Sequence, residues 1–389
     1  MDPQTVIVTG QAIPPDDVAL IVNDLEWRGW SDVRVTLGIE RVPNDFEVTV
    51  TELYPGTDRG PAQISIAPGQ RCELYIGRQR VITGYVDRYL PSITNGSHTV
   101  TISGRGACQD LVDCAALWPN QQIASASVLD VAAKLAEPYG IPVHGVSGPG
   151  VGLKGSIIPI INLMLGETCW EVIERLCRIA GILAFEQADG SLVLAENPAD
   201  PLTGAAAADL VSAASGFTEG VNVQAAHGAL TADQRYSEYR AYWYAYAPTA
   251  DIITEPANRI AVEHDPTARP GRLKIIIAEV GNAMSEEVAR RRIVWEKARR
   301  WGRSQMVTVT TDSWFDSAGL LYRPNTTARL HLPSLKVVDV DWLISEVTYR
   351  KGDHGTTCDL VLMPPAAFSV QPALPPYIIP QDIAQAAAR

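Results

Sequence analysis

The stretch FEVTVTELYPG at 46–56 is followed by ISIAPGQRCELYIG (64–77), RVITGYVDRYL (80–90), the polar turn SITNGS (92–97) and HTVTISG (98–104). The same order of pieces returns later as QMVTVTTDSWF (305–315), GLLYRPNTTARLHL (319–332), DWLISEVTYRK (341–351), GDHG (352–355) and TTCDLVLM (356–363). Val48-Thr49-Val50-Thr51 answers Val307-Thr308-Val309-Thr310, Pro68-Gly69 answers Pro324-Asn325, and Gly84-Tyr85-Val86 answers Ser345-Glu346-Val347. The separation stays at about 256 to 261 residues, which marks one β unit used twice.

Outward from this repeat, the N-terminal part reads as short antiparallel strands. VALIV at 18–22 is closed by Asn23-Asp24, and Val33, Val35, Leu37 and Ile39 alternate with other residues, as do Phe46, Val48 and Val50. Period-two alternation sends one face of a strand into a core and the other outward. Closure into a small barrel or sandwich would remove the exposed strand edges.

The pattern changes after Cys108. Ser127 is placed to cap a helix carrying Val128, Ala132 and Leu135 on one face, with Pro138 after its last turn. Residues 145–155 read as a Gly/Pro loop. Thr168 and Glu171 form a capping-box pair at the head of a second helix, with Trp170, Ile173, Cys177 and Ala180 expected inward and Gly181 ending it. Asp189-Gly190, between ILAFEQA and SLVLAE, predicts a hairpin. After an Ala/Pro-rich linker at 198–220, strands resume at VNVQAA, YRAYWYAYA and RLKIIIAEV. A helix follows over 285–303, capped by Ser285, acidic at its start, basic at its end, and packing through Val294, Ala298 and Trp301.

The expected fold is therefore mainly β with an α+β insert: two barrel-like β domains related by the repeat, plus a helix–hairpin domain. The boundaries are 1–106 for the first β domain, 107–198 for the insert, 199–365 for the second β domain with helix 285–303, and 366–389 for an extended tail.

The 389 residues suffice for several cores. A net charge of −12 argues against a nucleic-acid-coating surface, which would normally be basic. The beginning, MDPQTVIVTG, reads as lacking a signal peptide, and no apolar run reaches membrane-spanning length. Cys72, Cys108, Cys114, Cys169, Cys177 and Cys358 form no C-x-x-C pair and read as buried reduced thiols of a cytoplasmically folded chain. No G-x-S-x-G, H-E-x-x-H, Walker or G-x-G-x-x-G motif is present, and the six histidines are scattered. His354 and Cys358 flank one turn, but two ligands make no metal site. No catalytic, cofactor or metal residues are assigned.

Two stretches carry rival readings. RRRIVWEKARRWGR (290–303) hints at nucleic acid, yet Glu296 and the acidic total favour a solvated or subunit-facing helix. Tyr242, Tyr244 and Tyr246 share one strand face, with Trp243 on the other. Such a strip suits a glycan-binding module, although aromatics are also ordinary strand formers. Peptidoglycan hydrolysis, the enzymatic rival, lacks its glutamate-centred or Cys/His motif.

EWRGWSDVRVTLGIERVPNDFEVTVTE (26–52), PGQRCELYIGRQRVITGYVDRY (68–89) and ISGRGACQDLVDCAA (102–116) resemble the baseplate hub proteins of Mu-like phages, the tail protein P family. GETCWEVIERLCRIAGILAFEQADGSLVLAE (166–196) resembles a unit shared with the wider late-control D and injection-system hubs. The resemblance implies a non-enzymatic homotrimer in the virion tail baseplate, assembled in the host cytoplasm. Its partners would be the tail tube, central spike, wedge and tape measure proteins, without specific nucleic-acid binding or membrane insertion. Two β domains in each of three chains would match a sixfold tube to a threefold spike and leave a channel for DNA. A tail-like bacteriocin or secretion hub is the alternative within the superfamily. Trp27, Trp30, Tyr377, Ile378 and Ile379 are interface candidates as isolated aromatic and apolar residues, with a place in the core as the equal alternative. Tyr85 and Glu346 are candidates because the two copies differ there.

Overall fold

The structure, a computed structural model, describes residues 14–52, 65–95, 97–146, 158–180, 182–196, 210–244, 258–277, 286–353 and 355–369. The first β unit contains β1 (Val18–Val22), β2 (Leu25–Trp27), β3 (Asp32–Gly38), β4 (Asp45–Glu52), β5 (Arg71–Ile76), β6 (Gln79–Thr94) and β7 (Ser97–Gly106). Asn23 and Asp24, both at positive φ (52° and 61°), make the tight turn from β1 to β2.

The insert runs through α1 (Gln109–Asp113), β8 (Gln122–Ala126), α2 (Val128–Ala136), β9 (Val143–Val146), β10 (Ile158–Asn162), α3 (Cys169–Ala180), β11 (Ile182–Glu186) and β12 (Leu192–Glu196). Both expected caps form. The Ser127 hydroxyl accepts from the Asp130 amide at 3.1 Å while the Asp130 carboxylate accepts from the Ser127 amide at 3.0 Å. Thr168 and Glu171 reciprocate likewise at 2.8 and 3.2 Å. α2 buries Val128, Val131, Ala132 and Leu135, and α3 buries Cys169, Val172, Ile173, Leu176 and Cys177. The two helices share one core with Ile123, Ile161, Leu192 and Leu194. β11 and β12 form the Asp189-Gly190 hairpin. Strands β9, running parallel to β12, and β10, antiparallel to β8, fall where alternation gave no signal.

The remainder comprises β13 (Phe217–Thr218), β14 (Ala225–Leu230), β15 (Glu238–Tyr244), β16 (Asn258–His264), β17 (Leu273–Ile277), α4 (Glu286–Arg303), β18 (Gln305–Thr311), β19 (Thr327–Leu332), β20 (Val337–Gly352) and β21 (Gly355–Met363). Ser285 lies outside the described residues. α4 packs on the sheet β16-β15-β17 through Ala289 and Ile293, against Tyr239, Ala241 and Ala261. Val294 and Trp295 are also buried, whereas Trp301, expected inward, is exposed. The stripe sits one turn nearer the N-terminus because the last turn turns toward the chain end instead. That end is not extended at first. Pro365–Phe368 forms a 3-10 turn whose Ala366, Ala367 and Phe368 are buried, and α4 approaches it through Gly302, where an added Cβ would lie 2.4 Å from the Ala367 nitrogen.

One 13-stranded sheet carries both β units, in the order β14-β18-β21-β20-β3-β4-β7-β6-β5-β1-β2, with β19 pairing β20 and β13 pairing β19. The edge of β3 is thus satisfied by β20 of the second unit rather than by its own unit. Glu346 faces Gly38 and Lys351 faces Val33 across this junction. A single hydrophobic core, from Val18 to Leu362, spans the two units.

The repeat is a repeat of topology. β3-β4-β7-β6-β5 has its counterpart in β14-β18-β21-β20-β19. The long third strands β6 and β20 each bulge once against their hairpin partner, between Val86 and Arg88 and between Ile344 and Glu346. Gly69 and Asn325, both at positive φ, donate to the Val86 and Ile344 carbonyls at 2.7 and 3.0 Å, so Pro68-Gly69 and Pro324-Asn325 are true counterparts. Elsewhere the ladders correct the sequence matching. Val48 faces Ile102 as Val309 faces Leu360, so Val48 corresponds to Val309 and not to Val307. Cys72 faces Gly84 as Ala328 faces Trp342, so Gly84-Tyr85 corresponds to Trp342-Leu343, and Ser345-Glu346 to Asp87-Arg88. The slip of two at Val48 leaves every side chain on its face, so alternation cannot detect it; the slip of three at Gly84 escapes because β20 is buried at every position from Trp342 to Ser345.

Candidate assembly surfaces

The interface candidates divide when placed on the fold. Trp27 and Trp30 are buried in the shared core, Trp27 opposite Leu20 on the β1–β2 hairpin, so neither offers an exposed aromatic face. Their large apolar surface is already satisfied within the chain. Tyr85 is half-buried between Arg71 of β5 and Arg105 of β7. Glu346 is the first residue past the β20 bulge, facing Gly38, with its carboxylate 3.8 Å from Arg41. It belongs to the junction inside the chain. Tyr377, Ile378 and Ile379 lie outside the described residues.

The basic end of α4 is occupied by the chain itself. Arg299 and Arg303 donate to the carbonyls of Ser369 and Ala367 at 2.7 and 2.9 Å, and both reach Glu40 of the first unit. Arg300 pairs with Glu296 at 2.6 Å, one turn back. The Trp295 indole N–H donates to the Ser369 carbonyl at 2.9 Å. These cations therefore anchor the Pro365–Phe368 turn and tie the helix to the first unit. On β15, Tyr242 shares a sheet face with Ile260 and, two residues along, with Val262 and Ile275, all aliphatic and exposed. Tyr246 and the Trp243 and Tyr244 side chains lie outside what is described.

A buried carboxylate that sequence inspection missed joins the insert to the first β unit. Glu186, at the end of β11, accepts from the Cys108 amide through Oε1 and from the Asn44 amide through Oε2, each at 2.8 Å. Asn44 returns a bond from its side-chain amide to the Glu186 carbonyl at 3.3 Å, and its Oδ1 accepts from the Gly38 amide at 3.1 Å. Gly106 is required beside this carboxylate, because a Cβ there would lie 2.0 Å from Oε2. Burial pushes the Glu186 carboxyl up to about 7, with the two amides opposing. Its one sequence signal was a glutamate at the inward end of an apolar strand.

Burial also raises the thiols of Cys72 and Cys177 to about 12 and those of Cys108 and Cys358 well above the ordinary value. None of the six cysteines is paired. Thiols held protonated in this way are structural groups rather than nucleophiles.

The strand edges are the remaining surface. Beyond Tyr85, β6 keeps β7 on one side, and among the described residues no strand pairs its other side. Among the described residues β14 pairs β18 alone. These two edges end the repeated pattern at opposite sides of the molecule's sheet.

Comparison with known proteins gives this architecture a family. Residues 17–106 match the N-terminal domain of the Mu phage baseplate assembly protein GpP-like family, 108–196 the second domain of the baseplate hub protein gp44-like family, and 285–371 the fourth domain of the Mu phage baseplate assembly protein GpP. The chain is 29% identical over 364 residues to baseplate hub protein gp44 of Escherichia phage Mu, covering 91% of this chain and 89% of that one. The 43 kDa tail protein of prophage MuSo2 from Shewanella oneidensis superposes with a TM-score of 0.75 at 26% identity, over 91% of this chain and 99% of that one. A tail protein from Neisseria meningitidis MC58 shares the fold, with a TM-score of 0.67 at 20% identity over 90% and 98%. The chain belongs to the baseplate hub family of Mu-like phage tails.

Proposed function

We propose that the chain works as a trimeric, non-enzymatic adaptor, joining a sixfold tail tube to a threefold central spike around a channel for DNA. The observation that carries this reading is the doubled topology. Each chain holds two β units of equal strand order fused in one sheet, so three chains present six equivalent units. Tube, spike, wedge and tape measure proteins are its expected partners. A net charge of −12 suits a surface along which DNA passes without adhering. The non-enzymatic reading rests on the use of the buried titratable groups. Glu186 holds two backbone amides, and the most buried thiols are kept protonated. Location in the virion baseplate, after assembly in the host cytoplasm, follows from this role.

Sedimentation velocity of the purified chain, with electron microscopy of the same sample, tests the proposal. A trimer with six-lobed ring projections is expected. A species that stays monomeric in the presence of tube and spike proteins would defeat it, as would clearing of purified cell walls by the chain alone.

A further inference from the structure

Two of the six cysteines stand opposite each other where helices of the insert meet. Ala115 and Thr168 form an isolated antiparallel bridge. The Cys169 amide donates to the Cys114 carbonyl at 3.2 Å, and the Ala116 amide donates to the Glu167 carbonyl at 2.8 Å. These bonds flank the bridge, so Cys114, the cap that ends α1, opposes Cys169, the residue that begins α3. Directly opposed residues of an antiparallel pair share one face, with Cα atoms ~4.5–5.5 Å apart, inside the span that a disulfide bridges.

The Tyr139 hydroxyl gives a second sign that the two sulfurs converge. It meets both thiols, and burial first, then the two sulfurs, hold it above the ordinary phenol range. Burial raises the Cys169 thiol, and the Tyr139 hydrogen bond opposes that rise. Access is asymmetric. Cys114 is half-buried, the one cysteine of six that is not fully enclosed, whereas Cys169 is 1% exposed. The other four lack this arrangement among the described residues. Cys72 faces Gly84, Cys358 faces Thr311 and Tyr349, and Cys108 and Cys177 are enclosed in the insert core.

We propose that Cys114 and Cys169 form a redox-modified dithiol, open in a reducing cytoplasm and closed to a disulfide by a small-molecule disulfide such as oxidised glutathione. The exposed partner reacts first. The Cys114 thiolate attacks one sulfur of the oxidant, forms a mixed disulfide with it and expels one glutathione thiolate. Cys169 then loses its proton and attacks the Cys114 sulfur, and the second glutathione thiolate leaves. Two protein thiols are oxidised, one small disulfide is reduced, and the two protons pass to the departing thiolates. The new bond joins the end of α1 to the start of α3 where the reduced chain has one isolated bridge. It also encloses β8, α2, β9 and β10 in a covalent loop, which restricts the unfolded chain and so favours the folded insert.

The test is incubation of the purified full chain with oxidised glutathione, then alkylation of the remaining thiols in urea and peptide mass spectrometry. One linked pair of peptides, carrying Cys114 and Cys169 and lighter by two hydrogens, is expected. Cys72, Cys108, Cys177 and Cys358 should all be recovered alkylated. Cys169→Ser should stop at the mixed disulfide, with glutathione retained on Cys114, and Cys114→Ser should yield no link to Cys169. The oxidised chain should unfold its insert at a higher urea midpoint than the reduced chain, and dithiothreitol should reverse the shift. Three results with the unaltered chain overturn the proposal, so it does not depend on how the variants fold. One is glutathione held stably on Cys114 with no linked peptide, which places Cys169 out of reach. Another is a Cys114 that remains free throughout. The third is linkage no faster in the folded chain than in urea, or shared equally with the other four thiols, which marks adventitious oxidation.

Discussion

At Glu186 two requirements meet: a buried carboxylate desolvated enough to titrate near neutrality, and two backbone amides with no other acceptor. Its folded value lies above the ordinary carboxylate value of 4.5, so between that value and about 7 the folded state binds more protons than the unfolded one. Stability from this group is therefore fully present below pH 4.5 and is lost as pH rises through about 7. Across that window the effect is on the order of 3 kcal/mol. Hydrogen exchange at the Asn44 and Cys108 amides should accelerate from pH 5 to pH 8 beyond the intrinsic rate, and Glu186→Gln should abolish that excess. An unchanged excess in the variant would reassign the effect. Gly106→Ala places a methyl group onto the Glu186 carboxylate and should cost several kcal/mol, about the upper range for a point change, read as a lowered denaturant midpoint. The sequence displayed neither residue's role, because a lone glutamate and a lone glycine acquire meaning only from what the fold sets beside them.

Among the elements, the helices were the most legible. Ser127, Thr168 and Glu171 cap as their spacing indicates, since a cap is a contact within one turn and needs no tertiary partner. Ser127→Ala should cost ~1 kcal/mol, measured as a shift in the urea midpoint of the insert. α4 was legible in extent and in charge order but not in its buried face. Trp295 rather than Trp301 is the anchor, buried and bonded to Ser369. Trp295→Ala should cost about 3–5 kcal/mol and expose the Pro365–Phe368 turn to limited proteolysis near Phe368. Retained protection there would show that the arginine contacts suffice. β8, β9 and β10 escaped notice because short strands inside an α+β unit carry too few residues for a period to register.

On the scale of the whole molecule, the shared sheet and shared core make the two β units one cooperative body, while the insert has a core of its own. Calorimetry should therefore resolve the two β units as a single transition. Val35→Asp, which charges a buried strand in the first unit at the junction, should lower that transition for both units together. A transition that splits, with Trp314 fluorescence of the second unit unaffected, would show that the units melt separately. Trp27 and Trp30 belong to this scale as well. Tryptophans at sequence positions that read as isolated became core because β2 folds back on β1 and the second unit closes over the sheet.

By itself the sequence determined the β unit and its repetition, the capped helices, the Asp189-Gly190 hairpin and the family. All of these rest on local spacing, on alternation or on motif order, which the chain carries in one dimension. Only the tertiary structure decided the register between the copies, since the slip of two at Val48 preserves every face and the slip of three at Gly84 falls where β20 shows no alternation. It also decided that β3 meets β20, because pairing between strands some three hundred residues apart leaves no trace in either strand's own pattern.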